Sequence, residues 1–136
     1  MMRTVICAFV LLTILAACGE RTPSYPQREP PPGFLENLAN RAAGNALFHE
    51  HCARCHGTSE EGRSPRAEFF QPPAPDFLSP RYRAIDPAYL FWRIGQGKNV
   101  EPYLSQGSVM PAWGPHFSDE QIWQLVAYLY ARAGRI

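Results

Sequence analysis

The chain has 136 residues, enough for one domain with a tail and too few for two full cores. It carries 13 Lys and Arg against 12 Asp and Glu with no basic run, which excludes a nucleic-acid binder, since such a protein clusters cations to replace phosphate counterions. Apolar residues at 46% and charged residues at 18% exclude a disordered polyelectrolyte, and most of the 14 prolines fall in two clusters, which points to an extended tail and a loop-rich domain.

Residues 1–17 begin with one cation, Arg3, followed by an apolar run from Val5 to Ala17. The run is too short to cross a bilayer, which takes roughly 20 residues, and its order of charge, apolar stretch and small residues fits an export signal. An ordinary signal and a short uncleaved anchor are the plain alternatives. The end, Leu15-Ala16-Ala17-Cys18, resembles a bacterial lipoprotein signal. The resemblance implies cleavage before Cys18, a lipid on Cys18 and a lipid bilayer as partner, at the periplasmic face of a bacterial membrane. Gly19 stands where inner-membrane lipoproteins carry Asp, so the outer membrane is favoured. Loss of Arg3 with the leader leaves 12 cations against 12 anions. Cys7 also leaves, and with Cys18 lipidated only Cys52 and Cys55 remain.

Residues 18–33 are the lipidated Cys and a Pro-rich linker. Pro23, Pro26, Pro30, Pro31 and Pro32 fix φ and remove donors, and little in the segment is apolar enough to bury. The expectation is a solvated, partly polyproline tail, with packing on the domain surface as the alternative. A domain over residues 34–136 follows.

The first helix is expected from about Leu35 to His51, with Leu35, Leu38, Ala42, Leu47, Phe48 and His51 as an imperfect apolar stripe. Gly44 interrupts it. A helical glycine costs ~1 kcal/mol relative to Ala, so a second helix should cross closely there.

Cys52-Ala53-Arg54-Cys55-His56 comes next. C-x-x-C-H is a c-type haem attachment signature. Two thiols one turn apart reach the two vinyl groups on one porphyrin edge, and the following imidazole reaches the iron from the same side. A thioredoxin-like dithiol belongs at the start of a helix after a strand, and no strand pattern precedes the motif. A zinc site needs two more ligands, and His49, His51 and His116 are irregularly spaced for it.

From Gly57 to Pro80 the chain holds five prolines and should wrap the cofactor as loop, with a turn near Arg66–Phe70. Asp86 caps and Pro87 opens a helix through about Gln96, with Ala88, Tyr89, Phe91, Trp92 and Ile94 as a bulky face. Gly95 and Gly97 end it. Arg93 and Lys98 are candidate partners of a haem propionate, or else solvated surface. Residues 101–106 form an inserted loop.

Met110 lies in Gly107-Ser108-Val109-Met110-Pro111-Ala112-Trp113-Gly114, a loop stiffened by Pro111 and carrying the large Trp113 ring. It is the first candidate for a second iron ligand. His116 is the second, and His51 is expected to face the pocket. His/Met ligation favours ferrous iron and raises the reduction potential. His56 needs an acceptor for its other nitrogen. Ser118, with Gln121, forms a capping box for a last helix whose stripe is Ile122, Leu125, Val126 and Leu129, ending near Arg132 and Gly134.

Ala43 to Phe48, the C-x-x-C-H motif, Met110-Pro111-Ala112-Trp113 and Ser118 to Arg132 together resemble class I bacterial cytochrome c, from about residue 40 to the C-terminus. The resemblance implies an all-α, cytochrome c-like fold: three to four helices around one covalent haem c, rich in loop. Gly44 and Phe48 would meet Leu125 and Tyr128 at the helix crossing. Cys52 and Cys55 would hold the haem, with His56 as proximal and Met110 as distal iron ligand, and a loop proline carbonyl, Pro65 or Pro72, would accept from His56. The implied function is single-electron transfer between redox protein partners, without catalysis of bond chemistry. A haem subunit of a larger membrane respiratory complex is the near alternative. A gas-sensing or peroxidatic protein is the distant one and needs an open sixth site.

Overall fold

The computed structural model describes residues 23–136, so the expected leader, with Cys7, and the expected lipidation site at Cys18 lie outside the described residues. Within them the chain is all-α: α1 (Leu38–His51), a single-turn α2 (Ala53–His56), 3₁₀ turns at Pro65–Phe69 and Pro80–Arg83, α3 (Pro87–Gln96) and α4 (Asp119–Arg132). Loop fills the rest, and there is no strand among the described residues.

α1 starts three residues later than its apolar pattern suggests. The Asn37 side chain accepts from Ala39 N and Asn40 N, which fixes the first turn there. Leu35 is buried all the same, in the turn before the helix, whereas Leu38 points outward at 76% exposure. The cap outweighed the stripe.

α4 is the centre of the core. Ser118 and Gln121 form the reciprocal capping box, and Asp119 and Glu120 occupy the positive end of the helix dipole. The sequence stripe accounts for one face, but Trp123, Ala127, Tyr128 and Tyr130 are buried as well. Neighbours on several sides explain this. Trp123 packs on Phe91 of α3 at 4.4 Å between ring centroids. Tyr128 packs on Phe48 of α1 at 5.0 Å. The Tyr130 hydroxyl donates to the Ile85 carbonyl at 2.6 Å.

The crossing of α1 and α4 falls at Gly44. A Cβ there would overlap the Gln124 backbone carbonyl and stand 3.0 Å from Tyr128 Cβ. Only a residue without a side chain lets the two backbones approach this closely.

α3 starts on its expected cap, with Asp86 Oδ1 accepting from Ala88 N at 2.9 Å and Pro87 in the first turn. It ends at Gly97, whose φ is +66°. Ala88, Leu90, Phe91, Arg93 and Ile94 are buried. Tyr89 and Trp92 are half-exposed, and part of their cover is the chain before α1: Tyr25 lies against both rings. The tail from Pro23 is therefore packed on the domain at this point, contrary to the solvated course its composition suggests. One tyrosine with a hydrogen-bond partner suffices where an apolar run is missing.

Candidate functional site

Cys52 sits at the break between α1 and α2. Its N–H donates to the Phe48 carbonyl at 2.8 Å, and its own carbonyl accepts from His56 N at 3.0 Å. This one turn places Cys52, Cys55 and His56 on the wall of a single cleft. Gly57 then turns the chain with φ +78°, and a Cβ there would stand 2.6 Å from Ser64 N. The loop over residues 57–64 is thereby folded back behind the motif. Arg132, at the end of α4, fastens it: the guanidinium donates to the carbonyls of Gly57, Thr58 and Gly62 at 2.7, 2.8 and 2.8 Å and lies over the Phe48 ring. In the sequence Arg132 reads only as a helix stop. Nothing local signals that its partners lie far upstream.

Met110 reaches the same cleft from the opposite end of the chain. Its loop is laced to the last turn of α3. Lys98 N donates to the Met110 carbonyl at 2.9 Å, Trp113 N to Ile94 O at 3.1 Å, and Gly114 N to Gly95 O at 3.0 Å. Gly97 lets the loop approach, since a Cβ would overlap the Pro111 carbonyl. Trp113 lines the cleft, stacks on Phe117 at 5.0 Å and meets the His51 ring at 5.5 Å. His51 lines the cleft too, as expected. His49 and His116 are exposed and do not line it.

The cleft is walled mostly by apolar side chains, with Phe77, Ile94, Leu125 and Leu129 among them. It continues into a second lobe that shares His56, Met110, Ile94 and Lys98. That lobe holds Arg63, Arg81, Arg93 and Lys98 against one acid, Asp76. Arg93 is only 6% exposed and has no carboxylate partner among the described residues. It donates to the Gly97 carbonyl and to the Tyr103 hydroxyl, lies over Trp92, Tyr89 and Tyr103, and keeps Nε unpaired. Burial, then Arg93 and Arg81, pull the Lys98 ammonium below its ordinary pKa. Tyr103 lies within the loop over residues 101–106 and so gives that loop a structural task.

Burial holds the His56 imidazole at a pKa of about 4, with the Arg132 charge adding to the fall and the Pro75 carbonyl opposing it. Pro75, rather than Pro65 or Pro72, is thus the carbonyl that faces the imidazole. Pro65 begins a 3₁₀ turn instead. Nδ1 of His56 is buried and lacks a partner of full hydrogen-bond geometry. Burial and the neighbouring Cys55 push the Cys52 thiol up to about 12. Burial thus disfavours the thiolate that a dithiol redox site needs. Cys52 and Cys55 are not joined by a disulfide. No cluster of three His, Cys, Asp or Glu side chains suited to a metal ion occurs among the described residues.

The residues fit a porphyrin. The walls suit a flat apolar ring, Arg93 and Lys98 carry the charge suited to its two carboxylates, two thiols on one wall suit its vinyl groups, and a neutral imidazole and a thioether suit its iron. A family model described as cytochrome c oxidase, cbb3-type, subunit III matches residues 39–129, from the first turn of α1 almost to the end of α4. No curated protein matches the chain.

Proposed function

The chain belongs to this family of c-type cytochrome domains, which bind haem c and transfer electrons through it, and on that premise we propose that it is a monohaem electron carrier tethered to the periplasmic face of a bacterial membrane. The observation that carries the reading is the convergence of Cys52, Cys55, His56 and Met110 on one cleft from two distant segments.

Haem c bound there supplies a one-electron iron couple. Cys52 and Cys55 would hold it through thioether bonds, so that it could not dissociate. His56 would hold the iron with a neutral imidazole, which its low pKa keeps available across the physiological range. Met110 would hold the iron with a soft sulfur that favours the ferrous state. The lacing of its loop to α3 holds that sulfur in both oxidation states, which keeps reorganisation small. Arg93 and Lys98 offset the propionate charges. The apolar walls keep water from the iron. Cys18 and the leader before it support a lipid anchor, and Gly19 favours the outer membrane.

The experiment is a visible spectrum of the purified protein in both oxidation states. The expected result is a weak far-red ferric band from sulfur ligation, lost in Met110→Ala, with carbon monoxide binding fast only to that variant. Fast binding to the parent protein would mark a gas-binding site and end the carrier reading.

A second reading makes the protein a permanent haem subunit of a larger membrane oxidoreductase. The description of the matched family, an oxidase subunit, favours it. Co-purification of other subunits after mild detergent extraction separates the two.

A further inference from the structure

The segment before α1 is fastened to the domain at two points. The Tyr25 hydroxyl donates to Asp86 Oδ2 at 2.7 Å, while its ring stacks on Trp92 at 5.9 Å and meets Tyr89 edge-on at 5.4 Å. Arg28 pairs with Asp119 Oδ2 at 2.6 Å and lies over the Phe91 ring at 5.1 Å. Asp86 caps α3 and Asp119 begins α4, so the segment straps the starting ends of two helices together. An exposed ion pair alone contributes little. The packed tyrosine beside it, hydrogen-bonded and lying on two aromatic rings, makes the strap more than a chance crossing.

We propose that this strap shortens the tether and orients the domain, so that a lipid on Cys18 holds α3 beside the bilayer surface. The inference rests on the lipid-anchor reading above. Chain length sets its scale. From Cys18 to Tyr25 is a stretch of about 22 Å at ~3.1 Å per residue, whereas a tail free up to Gly33 would reach about 45 Å. A free tail lets the domain tumble. A strapped one fixes which side faces the lipid. Tyr89, Leu90, Arg93 and Ile94 of α3 also line the haem cleft. The strap thus keeps the cleft near the membrane, within reach of a partner whose redox centre lies close to the lipid surface.

Two measurements on the lipidated holoprotein test this. Trypsin cuts after Arg28 only when the strap opens, and the cleavage rate follows the open population. Tyr25→Ala should be cut about tenfold faster than the parent, which corresponds to about 1.4 kcal/mol. Tyr25→Phe, which keeps the ring and loses the bond to Asp86, should fall between them. Equal rates in all three overturn the strap. The second measurement uses vesicles of phosphatidylethanolamine and phosphatidylglycerol that carry a fluorescent headgroup, which the haem quenches at close range. Tyr25→Ala should lose part of that quenching, and undiminished quenching overturns the orientation even where the protease rates differ. A protein that does not float with the vesicles refutes the lipid anchor, and the orientation with it. The protease rates need no membrane and still decide the strap.

Discussion

Gly97 lies directly against Pro111. A Cβ on Gly97 would overlap the Pro111 carbonyl and stand 2.6 Å from Ala112 N, and the glycine's φ of +66° is one that L side chains rarely adopt. The end of α3 and the Met110 loop can therefore meet only through a residue without a side chain. Gly97→Ala is expected to push the loop outward and take the sulfur off the iron. The far-red ferric band should vanish and carbon monoxide should bind, while the haem stays attached in acid acetone. An unchanged band would show that the loop finds its place without this contact.

Gly44 makes a comparable backbone contact at the crossing of α1 and α4. Alanine favours a helix over glycine by ~1 kcal/mol, yet its methyl would meet the Gln124 backbone, which cannot swing away as a side chain does. Overpacking of this kind costs about 1–3 kcal/mol and more where backbone is involved, so Gly44→Ala should lower stability by at least about 2 kcal/mol. Thermal melts followed by circular dichroism check it. A raised melting temperature would show that the helices part easily.

Acid should weaken the fold through His56. Its ordinary pKa of 6.5 falls to about 4 on burial. Between those values the unfolded chain takes a proton that the folded one refuses. Stability is thus fully present above 6.5 and declines as the pH falls through the window, by ~1.4 kcal/mol per pH unit. An iron bond to the imidazole extends the window downward. Urea midpoints at pH 7 and pH 5 should differ by about 2 kcal/mol in unfolding free energy, with the spectrum of the folded protein the same at both. Equal midpoints would mean that His56 is open to solvent.

Arg132→Gln removes the donors to three carbonyls behind the haem-binding motif. Hydrogen bonds from a charged donor are worth ~1.5–3 kcal/mol each and do not add in full, so the loss should be about 3 kcal/mol. Trypsin cleavage after Arg54 should speed up with it. A variant as stable as the parent, and as resistant to cleavage, would leave the clasp without weight.

The sequence made legible whatever depends on spacing along the chain. The C-x-x-C-H motif, the stiff loop around Met110, the caps at Asp86 and Ser118 and the glycine at the helix crossing all follow from local chemistry. The elements missed depend on where distant segments meet. Five prolines between Gly57 and Pro80 carry no period, so nothing in them marks Pro75 as the one whose carbonyl faces His56. Arg93 sits in a bulky helical face and is buried there because aromatic rings and the Gly97 carbonyl receive its charge. Neither condition shows in the residue itself. The tail lacks an apolar run and looks solvated, yet Tyr25 needed only one acid and two partly buried rings to dock.

The clasp at Arg132 joins positions 70 to 75 residues apart. A ribosome makes the thiols and the imidazole well before this arginine. A nascent chain halted at residue 131 would already hold Cys52, Cys55, His56 and Met110, yet it would lack the hand that closes the loop behind the motif. Arg132 is thus the late stitch of a seam begun 75 residues upstream.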